Sequence, residues 1–249
     1  MKSYLADLHV HTVLSPCADV EMIPPLIVEE ALNRKINLIA ITDHNSSANI
    51  QSVQKAALGT NLVVLPGMEL QTREEVHVLC LFASIEQVND WQQIINACLP
   101  PIENRPDYFG EQFIVDSVGD FIQREPRLLI TSTSLTFDDA CQKVHDLGGL
   151  FIPAHIDRQA FGLLANLGMV PTNVQVDALE LSSHAQVDHI LSKYPQIAGY
   201  TLIQDGDVHR LAEFLGVNEF QLIAPNLAEI QLALQNMGGR SIRILNTAN

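Results

Sequence analysis

The sequence predicts an α/β protein built on a parallel sheet, and three observations predict it. Short, continuously apolar runs of the kind buried in parallel sheets alternate with amphipathic helical stretches. The chain has 249 residues, enough for one large β/α barrel or for two small domains. Side chains able to ligate metal recur at the ends of the apolar runs, and in a β/α barrel those ends share the face on which active sites are found.

The first strand is led in by Tyr4-Leu5-Ala6 and continues as Asp7-Leu8-His9-Val10-His11. Side chains alternate along a strand, so His9 and His11 face one side, with Asp7 a step deeper on that side as an orienting carboxylate. The turn-forming Ser15-Pro16-Cys17-Ala18-Asp19 follows, and Pro24 and Pro25 fit the first turn of a helix over 22–33. The run at 37–42 ends in Asp43-His44-Asn45. After a helix over 47–58, Leu62-Val63-Val64-Leu65 ends in Pro66-Gly67-Met68-Glu69. A fourth strand at 76–82 carries His77 near its beginning rather than its end.

From Ser84 to about Thr136 the rhythm breaks: Trp91, a Pro-Pro pair, the Tyr108-Phe109-Gly110 turn and Glu125-Pro126 read as a helix followed by an insertion. That insertion is either a cap over the barrel mouth or a solvent-exposed elaboration. A helix over 137–147 then closes at Gly148-Gly149. The strand Leu150-Phe151-Ile152-Pro153-Ala154 ends at His155, and 177–181 runs toward Ser183-His184. Residues 200–203 lead into Gln204-Asp205-Gly206-Asp207-Val208-His209, and runs at 220–223 and 242–245 flank a final helix over 226–237.

Hydrophobic residues at 47% and charged residues at 17% are an ordinary globular balance. The net charge of −15 argues against a duplex-binding surface, because phosphate neutralisation needs clustered Lys and Arg. A small phosphorylated substrate stays compatible, since the field at a metal site is set largely by the ion. Cys17, Cys80, Cys98 and Cys141 show no C-x-x-C pairing and suit a reducing compartment. No apolar stretch has signal-peptide or membrane-span length, so the expectation is a soluble, cytoplasmic protein with no membrane partner.

His9, His11, His44, Glu69, His155, Asp207 and His209 all fall at or just past the ends of predicted strands, where the barrel geometry would bring them together. Imidazole and carboxylate with almost no thiolate suit Zn²⁺, Mn²⁺ or Fe²⁺. Glu69 is the natural bridge, since its two oxygens can each hold a different ion.

Five stretches carry a family resemblance: Asp7-Leu8-His9-Val10-His11-Thr12, Thr42-Asp43-His44, Pro66-Gly67-Met68-Glu69, Pro153-Ala154-His155 and Asp207-Val208-His209. In this order they resemble the successive motifs of the polymerase-and-histidinol-phosphatase (PHP) family of metal-dependent phosphoesterases. The resemblance implies a distorted (β/α)7 TIM-like barrel, so that 1–249 would be a single PHP-type domain with an insertion at about 84–136. It also implies two to three divalent metal ions. His9, His11, Glu69 and Asp207 would hold the first, and Glu69, His77 and His155 the second. His44 and His209 would hold the third, with a residue from the turn after His11. Many relatives have Asp where this chain has Pro16, and some have His where it has Cys17, so Cys17 is the expected thiolate ligand and Asp19 a reserve. Relatives often carry an Arg shortly after the fourth-motif His. Arg158 takes that place here, its planar guanidinium suited to gripping phosphate oxygens, and with His155 it is the catalytic candidate.

The expected reaction is hydrolysis of a small phosphoester, a nucleotide or sugar phosphate, by a metal-bound hydroxide. Two readings compete with it. A nuclease acting on short single strands would need a basic or aromatic track, and no concentrated one is evident in the sequence. A non-catalytic barrel could bind metal or a nucleotide for regulation. His184 is expected to line the pocket, His145 and His189 to be surface or packing residues, and Glu180 to be either an orienting or a buried, hydrogen-bonded acid. Asp43 should face away from His44 and orient at most. Neither the metal's identity nor the oligomeric state is legible at this level.

Overall fold

The first strand, β1 (Lys2–Val10), is shared between two ladders, and the rest of the sheet is laid out from it in a computed structural model that describes residues 1–245. Its first half pairs antiparallel with β10 (Asn218–Leu222), whose far side carries β11 (Ser241–Ile244). Its second half pairs parallel with β2 (Leu38–Ile41), and β2 pairs parallel with β3 (Val63–Gln71). Then the direction changes. β4 (His77–Leu81) runs antiparallel to β3, and β7 (Leu150–Pro153) antiparallel to β4, completing a seven-stranded sheet in the order β11-β10-β1-β2-β3-β4-β7.

The parallel pair β8 (Leu179–Leu181) and β9 (Leu202–Gln204) forms a separate ladder between the sheet's margins. The amide of Asp177 donates to the Phe151 carbonyl and that of Ile156 to the Glu180 carbonyl, which ties it to β7. A bridge between Val10 and Val208 ties the segment after β9 to the end of β1. The α/β class is therefore as expected, but the sheet is mixed and curled, and the continuous ring of seven parallel strands is not what is seen. The cause is local. Only residues 72–76 separate β3 from β4, closed by Thr72 N–H to the Val76 carbonyl at 3.0 Å. A parallel connection needs a dozen residues or more.

The helices are α1 (Pro24–Asn33), α2 (Ile50–Ala56), α3 (Ile85–Cys98), α4 (Pro106–Phe109), α5 (Phe137–Asp146), α6 (Leu163–Asn166), α7 (Val187–Lys193) and α8 (Leu227–Leu234). Ser84 Oγ accepts from Gln87 N–H to start α3, and Thr136 Oγ1 accepts from Asp139 N–H to start α5, the usual side-chain answer to orphaned first-turn donors. Ile27, Val53, Trp91 and Val144 from α1, α2, α3 and α5 share one core with Ile39, Val64, Val78 and Phe151 of the sheet. The alternate positions Leu38, Ala40, Leu65, Leu79 and Ile152 form a second core with Leu227, Ile230 and Leu234 of α8.

Within 84–136, α3 packs on the first core through Val88, Trp91 and Ile95. The remainder holds α4 and a hairpin of β5 (Phe113–Val115) and β6 (Phe121–Arg124). Phe113 N–H donates to the Val13 carbonyl, and Asn45 Nδ2 donates to the carbonyls of Leu129 and Thr131. The excursion thus leans on the loops after β1 and β2. No helix among the described residues is long and apolar enough to cross a membrane.

Candidate metal centre

Parallel strands deliver their C-terminal ends to one edge, and an antiparallel neighbour delivers its beginning to the same edge. His9 and His11 come from the end of β1, His44 from just past β2, His155 from just past β7, and Asp207 and His209 from the loop after β9. His77, at the start of β4, joins them for the second reason. Glu69 lies inside β3 rather than beyond its end, because β3 continues through Pro66 and Gly67 to Gln71. Gly67 makes this possible: a Cβ there would lie 2.8 Å from Thr42 Cγ2 and 2.9 Å from Leu81 Cδ2. His155 and Asp207 hold φ values of +30° and +50°. Such left-handed backbone costs on the order of 1–3 kcal/mol at a non-glycine residue and clusters at functional sites.

One carboxylate sits among five imidazoles. Glu69 Oε1 lies 3.3 Å from His9 Nε2, 2.8 Å from His77 Nδ1 and 3.2 Å from His155 Nε2. Glu69 Oε2 lies 2.8 Å from His44 Nδ1 and 3.4 Å from His11 Nε2. Asp207 Oδ1 lies 3.2 Å from His9 Nε2 and 3.3 Å from His11 Nε2. These donor atoms gather as His9–His11–Glu69, His44–Glu69–His77 and His11–His44–His209. The grouping differs from the one implied by the resemblance: His11 joins His44 and His209, and His44 joins Glu69 and His77.

The residues fit a set of divalent cations. His9 Nε2, His11 Nε2, His44 Nδ1, Glu69 Oε2, His77 Nε2, His155 Nδ1 and Asp207 Oδ1 are all buried with no hydrogen-bond partner. Buried polar atoms are nearly always partnered, and five of these orphans, on His9, His11, His44, Glu69 and Asp207, converge on one place and need an occupant, while His77 and His155 turn their other ring nitrogens to Glu69. Imidazole and carboxylate are the donor set that zinc, manganese and iron share.

The charges agree. Burial raises the Glu69 carboxyl, but His77, His44 and His9 around it hold it well below the usual range. Asp207 follows the same pattern, with burial overcome chiefly by His9 and His11. Burial pushes His77 down to about 4 and His11 well below its ordinary value, so both rings are neutral and free to ligate. Burial also opposes charge on His9 and His44, yet Glu180, Asp207 and Glu69 drive the first up, and Glu69 and Cys17 the second. Protons on those two rings balance the carboxylates where cations would, and cation binding would release them.

The ligands are oriented from behind. His9 Nδ1 meets Glu180 Oε1 at 2.9 Å, and Glu180 Oε2 accepts the His155 N–H at 2.9 Å, so one buried acid sets two ligands. His11 Nδ1 meets Ser15 Oγ at 2.9 Å, and Ser15 donates to Asp43 Oδ1 at 2.7 Å. Asp43 also accepts the Thr12 amide and hydroxyl, which makes it an orienter of His11 rather than of its neighbour His44. His209 Nδ1 donates to the Asp207 carbonyl at 2.9 Å. The reading of Asp7 as the carboxylate behind the first pair of rings needs correcting. Asp7 accepts the amides of Gly206, Leu215 and Gly216, anchoring the loop that carries Asp207 and His209. Ser15 and the double role of Glu180 were missed; the only signal was a hydroxyl four residues after His11, in the following turn.

Arg158 Nη1 donates to Asp207 Oδ2 at 2.5 Å, while Asp157 turns away to the amide and hydroxyl of Ser182. Arg158, Cys17, His184, Asp207 and His209 line an open cavity of about 660 Å³ beside the centre. Cys17 is exposed at that mouth and outside the three gatherings above. Although the residue is exposed, its thiol is partly desolvated by the surrounding groups, which raises it, and His44 and His209 pull it down to about 6. Asp19 is exposed, its carboxylate turned to the Glu21 amide.

The family model of the PHP domain matches residues 7–191. The chain belongs to the PHP domain family. Its clusters of His and Glu can bind divalent metal. It is similar to the uncharacterized protein YqxK of Bacillus subtilis, 24% identical over 274 residues, which cover 97% of this chain and 64% of YqxK. The 5'-3' exoribonuclease Rnm of Escherichia coli is 33% identical over 82 residues, 30% of this chain and 26% of Rnm. Among solved structures, endonuclease Q of Pyrococcus furiosus, a lesion-specific endonuclease, has a TM-score of 0.73 at 19% identity over 97% of this chain and 58% of that one. Endonuclease Q in complex with a 27-mer duplex bearing an abasic lesion at the active site has a TM-score of 0.72 at 18% identity, over 96% and 58%. This PHP chain therefore spans about three fifths of the length of YqxK and of endonuclease Q.

That last structure overturns the exclusion of duplex nucleic acid, because the same fold accepts a duplex at its active site. The net charge was a poor guide for a physical reason. Asp7, Asp43, Glu69, Glu180 and Asp205 are buried in and around the centre and add nothing to the outer surface, while Arg34, Arg158 and Arg210 line the cavity beside it.

Proposed function

We propose that this PHP-domain protein hydrolyses phosphodiester bonds of nucleic acid. The observation that carries the proposal is the convergence of five unpartnered ligating atoms, from His9, His11, His44, Glu69 and Asp207, beside Arg158 at an open mouth. The comparisons support the substrate class: Rnm is an exoribonuclease and endonuclease Q a DNA endonuclease, and both cut nucleic-acid strands.

His9, His11, Glu69 and Asp207 would hold one ion, Glu69, His77 and His155 a second, and His44 and His209 a third with His11 or Cys17. Zinc, manganese and iron(II) all suit this donor set. Such ions lower the pKa of water toward neutrality and offset charge on the phosphoryl oxygens. The chain's own groups do the positioning. Glu180 and Ser15 fix the tautomers of His9 and His11, leaving each Nε2 free to ligate. Arg158, pre-set against Asp207, grips non-bridging oxygens through its fork. The leaving oxygen would take its proton from water at the open mouth.

The test incubates purified protein, loaded in turn with zinc, manganese and iron(II), with end-labelled single-stranded and duplex oligonucleotides, mononucleotides and simple phosphate monoesters. Cleavage of an oligonucleotide that chelation abolishes is the expected result. Turnover of monoesters alone, or of none of the panel, overturns the proposal.

A further inference from the structure

The loop between β7 and α6 carries His155 and Arg158 and then presents an aromatic ring, Phe161, at the rim of the centre. That ring lies face to face with His77, centroids 4.4 Å apart and planes 7° from parallel. The Phe161 carbonyl accepts the His77 amide at 3.0 Å, so backbone and ring both address the same residue. One face of Phe161 is thereby spent on a candidate ligand. The residue nevertheless remains 38% exposed, although large aromatic rings are usually well covered.

The backbone holds it there under strain. Phe161 has φ +59°, a conformation rarely adopted by bulky residues. The following glycine closes the loop: a Cβ on Gly162 would lie 2.2 Å from the Arg158 carbonyl oxygen. This tight loop therefore fixes a guanidinium that reaches the centre and, three residues on, a flat apolar surface open to solvent. Shielding His77 needs only the covered face.

We infer that the open face of Phe161 is a stacking platform for a nucleobase of the substrate strand, next to the phosphodiester held at the centre. Every base has a π-face, so such a contact recognises that a base is present without reading which one it is. It extends the ring pair His77–Phe161 by a third member and sets the strand's register relative to Arg158. The inference rests on the nucleic-acid reading above and names one contact within it.

The experiment uses metal-loaded protein and short single-stranded oligonucleotides in which one nucleotide at a time is replaced by an abasic residue. At one position the abasic strand should show a KM raised about 5- to 150-fold over the intact strand, the range set by stacking energies per base. In Phe161→Leu that ratio collapses toward unity, and in Phe161→Trp it is retained. Metal content and melting temperature are followed in both variants. The inference is overturned if Phe161→Leu keeps the full ratio. It is equally overturned if the variant loses metal and kcat alike on intact and abasic strands, which makes Phe161 a positioning residue for His77. Wild-type protein that cleaves intact strands with no abasic penalty anywhere overturns this inference alone; failure to cleave any strand takes the functional reading with it.

Discussion

Glu180 is the acid whose removal should separate a built metal centre from a mere crowd of histidines. Its carboxylate accepts from His9 Nδ1 at 2.9 Å and from the His155 amide at 2.9 Å, in a site only 1% exposed. Glu180→Gln keeps the shape and replaces one acceptor oxygen by an NH₂ group. If the amide oxygen stays with His9, the NH₂ faces the His155 N–H, donor against donor; if it turns, His9 loses its acceptor. A buried donor left unpaired costs roughly 1–3 kcal/mol, which for a domain of this size lowers the melting temperature by about 2–4 °C per kcal/mol. Loss of a partner behind a metal-ligating histidine typically costs about 10- to 100-fold in metal affinity. Glu180→Ala should exceed both figures, because it also opens a cavity and frees both ligands. The assay is competition for metal against a chromophoric chelator, with thermal melting alongside and Glu111→Gln, a change on the surface of the excursion, as control. Wild-type metal affinity in Glu180→Gln, or a loss no greater than in the control, refutes the reasoning.

Arg158→Ala should lower kcat by about 10²- to 10³-fold, the usual effect of removing one charged donor from developing phosphoryl charge, with Arg158→Lys recovering part of it; steady-state kinetics on the best substrate of the panel checks this. Far from the centre, hydrogen bonds to Asp177 and Cys141 raise His145 to about 10. A histidine raised on folding contributes stability that is complete below its unfolded value of 6.5 and is lost as pH climbs through about 10. Denaturant midpoints measured across that window should fall in the wild type and change less in Asp177→Asn.

The features of the centre that follow strand periodicity were legible in the sequence. His9 and His11, two apart on an apolar run, project from β1 to one place, and the ends of the parallel strands bring His44 and His155 to the same edge. His77 looked misplaced only while β4 was taken as parallel; the short turn at 72–76 reverses it, and its beginning becomes the right end. The mixed sheet was harder to read, since an apolar run carries no sign of its direction. The orienting groups were least legible of all. Glu180 is distant in sequence from both residues it sets, and Asp7 lies beside His9 along the chain yet bonds to residues some 200 positions away. Net charge misled because it does not say where charges sit, and Arg34, Arg158 and Arg210 are gathered beside the centre.

Elemental analysis of the purified wild type beside Glu69→Gln tests the central claim most directly, because Glu69 is the one carboxylate that five imidazoles surround. About two to three divalent ions per wild-type chain are expected, the number such a donor set holds, and most of them should be lost in the variant. A folded wild-type protein that carries no divalent metal and takes up none when titrated with zinc, manganese or iron(II) would contradict that claim.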